Sequence, residues 1–239
     1  MKNTAVLIPL TRLAFIFFLV GLLIFLFWRW RSGSKRSTYA FFRMIIQLLL
    51  VGYVLALIFH TESAGIVLLT LSFMLSAAAW IALSSVPQQR KQLYFIAFLS
   101  VMLGGGFSLF YSALLVLQAT PWYKPNIVIP LAGMSFANGM NAVSLAAERF
   151  FAELNSGKAQ TEARNIALKA GLIPITNALF SVGLVALPGM MTGQILAGVD
   201  PLIAVRYQIM IMSMTFTSAG FSAVLFLTFV QKSGKKLSF

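Results

Sequence analysis

Long apolar stretches without alternation, broken by short polar turns, constrain this chain more than any other feature. Leu13 to Phe27 and Ala64 to Leu83 carry no charged residue at all. A bilayer is crossed by about 20 consecutive apolar residues in a helix, whereas barrel strands alternate every second residue. With 59% hydrophobic and 10% charged residues and a mean hydropathy of +0.90, a soluble fold of 239 residues could not cover its own apolar surface. The fold class is therefore all-α, a polytopic membrane helix bundle. Cysteine is absent, which excludes disulfides, thiolate metal sites and cysteine nucleophiles.

About seven spans are expected: Ala5–Trp28, Met44–Phe59, Ala64–Leu83, Leu93–Leu117, Ile127–Ala147, one from Gly171 to the Pro188–Gly193 region, and Arg206–Val230. The first is too long for a signal-peptide core, and Trp28-Arg29-Trp30-Arg31 follows it as an aromatic and basic anchor. Gly104-Gly105-Gly106 either admits a close neighbour or loosens the fourth span. Residues 148–170 differ in kind. They mix Glu148, Glu153 and Glu162 with Arg149, Lys158, Arg164 and Lys169, and their apolar residues recur at helical spacing. Short amphipathic helices on the membrane surface are expected there, broken at Asn155-Ser156-Gly157. One membrane domain spans residues 1–239, with 148–170 as its cytoplasmic segment.

Charge chooses the orientation. With the N-terminus outside and the C-terminus inside, 14 of the 18 Lys and Arg fall in inside loops, leaving Lys2, Arg12, Lys124 and Arg206 outside or near the outer ends of spans. The net charge of +13 thus reflects topology, and no nucleic-acid surface is implied.

The acidic residues, Glu62, Glu148, Glu153, Glu162 and Asp200, all fall outside span centres, where proton-coupled carriers place theirs. His60, the one histidine, sits at a helix end as an interfacial residue. Asn155-Ser156-Gly157-Lys158 imitates a phosphate loop, but Ala152 replaces the first glycine and Ala159 the magnesium-binding hydroxyl. No hydrolytic constellation is present, so the chain is not expected to be an enzyme. The stretch from Ser181 to Met212 is interrupted at Pro188-Gly189 and again at Asp200-Pro201, and irregular backbone at membrane depth requires protein or a water-filled cavity around it. Pro188, Gly189, Met190, Met191 and Gln194, with Tyr207, Gln208 and Met210 opposite, are the candidate lining of a translocation path. Carbonyls freed at the break would offer oxygen ligands to a hard ion, while methionine suits soft ions or adaptable packing. The metal, if any, stays unassigned. A kinked helix followed by an ordinary external loop is the alternative.

Several motifs carry a family resemblance. Arg43-Met44-Ile45-Ile46-Gln47-Leu48 continues to Val51-Gly52-Tyr53-Val54; Pro130-Leu131-Ala132-Gly133-Met134 precedes Asn138 and Met140. Ala170-Gly171-Leu172-Ile173-Pro174, Val182 through Gly193, Asp200-Pro201 and Tyr207-Gln208-Ile209-Met210 complete the set. From Arg43 to Met212 the chain resembles the FetB-type iron-export ABC permeases, a family that includes plant aluminium-sensitivity permeases. Ala137 stands where that family usually has glycine, and the polar segment is shorter around Gly157-Lys158-Ala159.

The resemblance implies a permease in the bacterial inner membrane, exporting iron or another metal. Its partners would be a cytoplasmic ABC ATPase, which holds ATP and magnesium, a second copy of the permease, and membrane lipid; the chain itself would hold no cofactor. Glu148, Glu153, Gly157, Glu162 and Arg164 would couple to the ATPase. Arg43, Gln47, Gly133, Asn138 and Gly193 would serve helix packing. A gradient-driven carrier or channel, an ABC permease for a nucleotide sugar, and a non-transporting scaffold are the other readings. The topology is tested directly: Ser34→Cys and Ser233→Cys are expected to label from the cytoplasmic side and Thr120→Cys from outside. Labelling of Ser34→Cys and Thr120→Cys from one face overturns the map.

Overall fold

The computed structural model describes residues 9–30, 34–59 and 63–233. The helices in chain order are α1 (Leu10–Arg29), α2 (Ser34–Ile58), α3 (Ala64–Ala82), α4 (Arg90–Phe110), α5 (Pro125–Asn155), α6 (Gln160–Ser181), α7 (Gly189–Leu196) and α8 (Pro201–Ser233). A 3₁₀ turn, Leu83–Ser85, closes α3, and a π-helical turn, Tyr111–Val116, extends α4. Among the described residues, α1, α2, α3, α4 with its π turn, α5 and α8 are long and apolar enough to cross a membrane. The sixth expected span falls on α6, whose first half carries Glu162, Arg164 and Lys169, so that only its second half is apolar. His60 and Glu62 lie outside the described residues.

Two boundaries move for a common reason. Helices continue past the hydrocarbon wherever nothing breaks them, so polar ends become helical turns rather than loops. Lys35, Arg36 and Arg43 therefore lie in α2 itself. Likewise, the surface helices expected over 148–170 are replaced by the last turns of α5 and the first turns of α6. The break is nevertheless at the expected place. Gly157, at φ +86°, ends α5 and donates its N–H to the Leu154 carbonyl at 2.9 Å, a left-handed termination that glycine favours.

The contacts divide into two units, Met1–Thr61 with Leu196–Gly198, and Glu62–Ile195 with Val199–Phe239. In the first, α1 and α2 form a hairpin on which Phe17 meets Phe41 edge to face at 6.0 Å. In the second, α8 packs against α4, α5 and α6, and α5 also packs against α3, α4 and α6. Arg90 closes the α3–α4 turn. It donates to the Trp80 carbonyl from two nitrogens at 3.0 and 2.7 Å, and its guanidinium lies 3.8 Å above the Trp80 ring.

Alanines fill much of the helix packing, beside a few large buried side chains such as Phe150 and Phe226. Ala79, Ala82, Ala97, Ala132, Ala146, Ala167 and Ala204 are fully buried, while Leu69 and Phe73 face outward at 72% exposure. Lipid is as apolar as leucine, so burying leucine against another helix gains little. Small residues and interhelical hydrogen bonds hold membrane helices together instead. Both are present where α4, α5 and α8 meet. A Cβ at Gly104 would lie 2.5 Å from the Ser222 nitrogen, and one at Gly139 would lie 2.7 Å from Ser222 Oγ. Nearby, Ser135 donates to the Gly105 carbonyl at 2.8 Å and Ser218 to the Ser135 carbonyl at 2.6 Å. The triple glycine thus admits a close neighbour, through Gly104 and Gly105. Gly171 does the same for α6, since a Cβ there would stand 2.8 Å from the Ala142 carbonyl of α5.

Gly104→Ala is expected to destabilise by about 1–3 kcal/mol, because the obstacle is backbone and cannot swing aside. Gly106→Ala, two residues on, meets nothing within 4 Å. It is expected to be neutral or to gain up to about 1 kcal/mol from helix propensity. Thermal unfolding of both variants in detergent reads the contrast; equal effects would remove the special role of Gly104.

Candidate functional site

After Ser181 the chain turns sharply. Gly183, at φ +83°, donates to the Ala186 carbonyl at 3.0 Å, and the amides of Leu184, Val185 and Ala186 all converge on the Ser181 carbonyl. Glycine is required there because a left-handed backbone is strained for residues with a Cβ. The turn delivers Pro188 to α7, where Thr192 Oγ1 donates to the Pro188 carbonyl at 3.1 Å. Asp200 then starts α8, its carboxylate accepting from the Leu202 amide at 2.8 Å. The interruption at Asp200 is therefore where the sequence puts it, while the other comes earlier than expected: α6 ends at Ser181, seven residues before Pro188, and Pro188-Gly189 begins α7 instead of breaking a span.

Between this turn and α8 lies a cavity of about 300 Å³. Leu179, Val182, Leu187 and Met191 form one wall; Val205, Gln208 and Met212 form the other. Gln208 and Met212 are one helical turn apart, so they share a face of α8. Gln208 is 5% exposed, and its Oε1 accepts no hydrogen bond among the described residues. A buried amide oxygen without a donor costs about 1–3 kcal/mol, so it marks a place where a donor is accepted from elsewhere. The same holds for Gln194 Oε1 on α7.

The candidate path residues separate into three groups. Met191 and Gln208 line this cavity. Met210 faces the other way, into a cleft of about 550 Å³ between α8 and α4 that also takes Met214 and Arg206. Pro188, Gly189, Met190, Gln194 and Tyr207 line neither. A Cβ built at Gly189 or at Gly193 meets nothing within 4 Å, so the close approaches inside this chain are made elsewhere. Gly133 faces the Met74 methyl of α3 at 3.4 Å, and Asn138 donates to its own helix, to the Met134 carbonyl at 2.9 Å. Arg43 and Gln47 are both exposed on α2; with the amide oxygen turned to the guanidinium, they are 3.1 Å apart. Among the described residues no group of three or more acidic, histidine or cysteine side chains comes together.

The segment from 148 to 170 has a different geometry. Glu153 is buried and binds both Arg149 and Lys158, the latter at 2.8 Å, while Lys158 also reaches Glu162 at 3.5 Å. The hydrogen bond to Glu153 raises the Lys158 ammonium above the ordinary lysine range, with burial opposing and both neighbouring carboxylates assisting. A raised lysine value favours the folded clasp below that range, and the contribution is lost only as pH rises through the raised value. Arg164 ties α6 to α8 through Gln231 at 3.3 Å. Glu148 and Gly157 are exposed, as is Glu162.

Sequence reasoning passed over the α4–α8 cleft and its π-helical wall. The recurrence of Ser213, Thr217 and Phe221 every fourth residue was the available signal, hidden in a helix that is apolar on all sides.

Residues 10–234 match the uncharacterised protein family UPF0014. The UPF0014 membrane protein slr1647 of Synechocystis is 38% identical over 200 residues, covering 77% of each chain. FetB of Escherichia coli K12, named as a probable iron export permease protein, is 37% identical over 198 residues, 77% of this chain and 75% of that one. ALUMINUM SENSITIVE 3 of Arabidopsis thaliana is 30% identical over 208 residues, 81% and 75% of the two chains. No solved structure matches.

If Gln208 serves a passing solute, removing its amide separates stability from function. Gln208→Leu is expected to leave thermal stability equal or higher by about 1 kcal/mol. Flux in vesicles should fall by about tenfold or more, the loss of one charge-free contact. Normal flux in a stable Gln208→Leu protein would exclude this cavity from the path.

Proposed function

The chain belongs to the UPF0014 family of membrane proteins, and on that premise we propose that it is the membrane-spanning subunit of an ABC exporter for iron or another metal, driven by a separate cytoplasmic ATPase. The observation that carries the reading is the α5–α6 hairpin. It is a compact, ion-paired turn at the end of two long helices, with Glu148, Gly157 and Glu162 presented outward. A projecting helical end can seat in the groove of a partner protein, and its exposed charges would set which partner it fits. The export of iron rests on the likeness to FetB, and the inner membrane and a second copy of the chain belong to the same reading.

The division of labour within the hairpin follows from burial. Glu153 is consumed internally by Arg149 and Lys158, so it shapes the knob. Glu148 and Glu162 are the exposed acidic groups of the hairpin, Glu162 sharing Lys158 at 3.5 Å, and both are placed to meet a cationic partner surface. The cavity behind Gln208 gives the cargo an unpaired acceptor beside Met191 and Met212, between the broken stretch after α6 and the continuous helix α8. Such breaks occur where transporters bind their substrates.

Co-purification from the native membrane tests the assignment. Glu148→Lys with Glu162→Lys is expected to release the ATPase while the unfolding temperature of the permease holds. Glu153→Gln is expected to lower that temperature as well, since it strips Lys158 of its partner. Undiminished ATPase binding in the double variant would count against the hairpin. Flux driven by an ion gradient with no ATPase present would replace the exporter by a gradient-driven carrier.

A further inference from the structure

The second cleft, between α4 and α8, is built differently from the Gln208 cavity. On α8, Arg206, Met210, Met214, Thr217 and Phe221 follow one another at spacings of three and four, which puts them on one face. On the facing wall the π-helical turn bonds Leu117 N–H to the Ser112 carbonyl at 3.0 Å, five residues back, and turns Tyr111 and Val116 into the groove. Such turns widen a helix locally and recur at functional positions. The groove holds about 550 Å³.

We propose that this groove binds an anionic phospholipid, one acyl chain lying along α8 and the phosphate on the Arg206 guanidinium.

The first argument is polarity. Three of the hydroxyls on the walls already have partners: Ser108 donates to the Gly104 carbonyl at 2.8 Å, Ser213 to the Ile209 carbonyl at 2.9 Å, and Thr217 to Ser108 Oγ at 3.0 Å. A polar cargo would find little to bind along the groove, whereas an alkyl chain asks for nothing. The second argument is charge. Arg206 is the one charged residue lining the cleft; it is exposed and has no ion pair among the described residues. Basic pockets between membrane helices on the cytoplasmic side hold anionic headgroups by charge, and the same attraction acts at Arg206, which the charge pattern puts at the outer side, on lipids of the outer leaflet. The third is length. At about 1.5 Å per residue, Arg206 and Phe221 stand about 22 Å apart along α8. Half a bilayer, headgroups included, measures about 20–22 Å. A phosphate at Arg206 therefore leaves its chain ending near the bilayer centre, where Phe221 and Phe107 close the groove with ring centroids 6.2 Å apart. The cavity centred on Gln208 and Met212 lies on the adjoining face of α8 and shares Ile209 and Ser213 with this groove, while Arg206, Met210, Met214, Thr217 and Phe221 belong to the groove alone.

Native mass spectrometry of the purified, full-length chain tests it, with phosphatidylglycerol and phosphatidylcholine of matched chains offered in equal amounts. Wild-type protein is expected to retain phosphatidylglycerol about fivefold more, the factor one arginine supplies at an anionic surface. Arg206→Gln should abolish the preference and Arg206→Lys should keep most of it. Met210→Trp, which fills the groove, should lower retention of both lipids, with unfolding temperature measured throughout to confirm folded protein. Equal retention of both lipids by the wild type, or an unchanged preference in Arg206→Gln, overturns the proposal. So does disulfide cross-linking between Met210→Cys copies in the native membrane, because the groove would then be covered by a second copy of this chain.

Discussion

At the crossing of α4, α5 and α8 there is no room for a side chain on two of the three helices. Ser222 occupies the point of contact, with its backbone against Gly104 and its hydroxyl against Gly139. Ser135 and Ser218 add hydrogen bonds to carbonyls a few ångströms away. In a bilayer no hydrophobic force sorts helix from lipid, so this contact has to be made by shape and by hydrogen bonds. Because α8 touches α4, α5 and α6, fixing it here fixes what each of its other faces can meet.

Two faces of α8 follow from that anchoring. One, carrying Gln208 and Met212, stands against the turn after α6; the other, carrying Arg206, Met210 and Met214, stands against α4. They differ in what they leave unsatisfied. Beside the broken turn an amide oxygen is buried without a donor, which favours a solute bearing one. Beside α4 the Ser108, Ser213 and Thr217 hydroxyls are already bonded and an exposed positive charge stands at the end, which favours an amphiphile with an anionic head. Helical periodicity alone lets a single element serve both.

The hairpin of α5 and α6 illustrates how burial reassigns charge. Glu148, Glu153 and Glu162 look equivalent as letters in a polar segment. Folding turns Glu153 inward, between Arg149 and Lys158, and leaves the other two outside. An acidic residue that organises a turn and one that meets a partner have the same chemistry; only the surroundings separate them.

The sequence by itself determined the membrane class, the helical fold and the positions of the breaks at Gly157 and Asp200, while the break it put at Pro188 comes earlier, after Ser181. These depend on local chemistry: apolar runs long enough to span, glycine where the backbone turns left-handed, and proline or aspartate where a helix begins. It also pointed to Gln208 as a polar residue in an apolar stretch. Only the tertiary structure decided which glycines are close contacts, choosing Gly104, Gly139 and Gly171 while leaving Gly189 and Gly193 open. Only it separated Met191 from Met210, and Glu153 from Glu162. Those choices depend on which face of each helix meets which neighbour. A sequence apolar on every side carries no periodic mark of that face, because lipid and protein interior ask for the same residues.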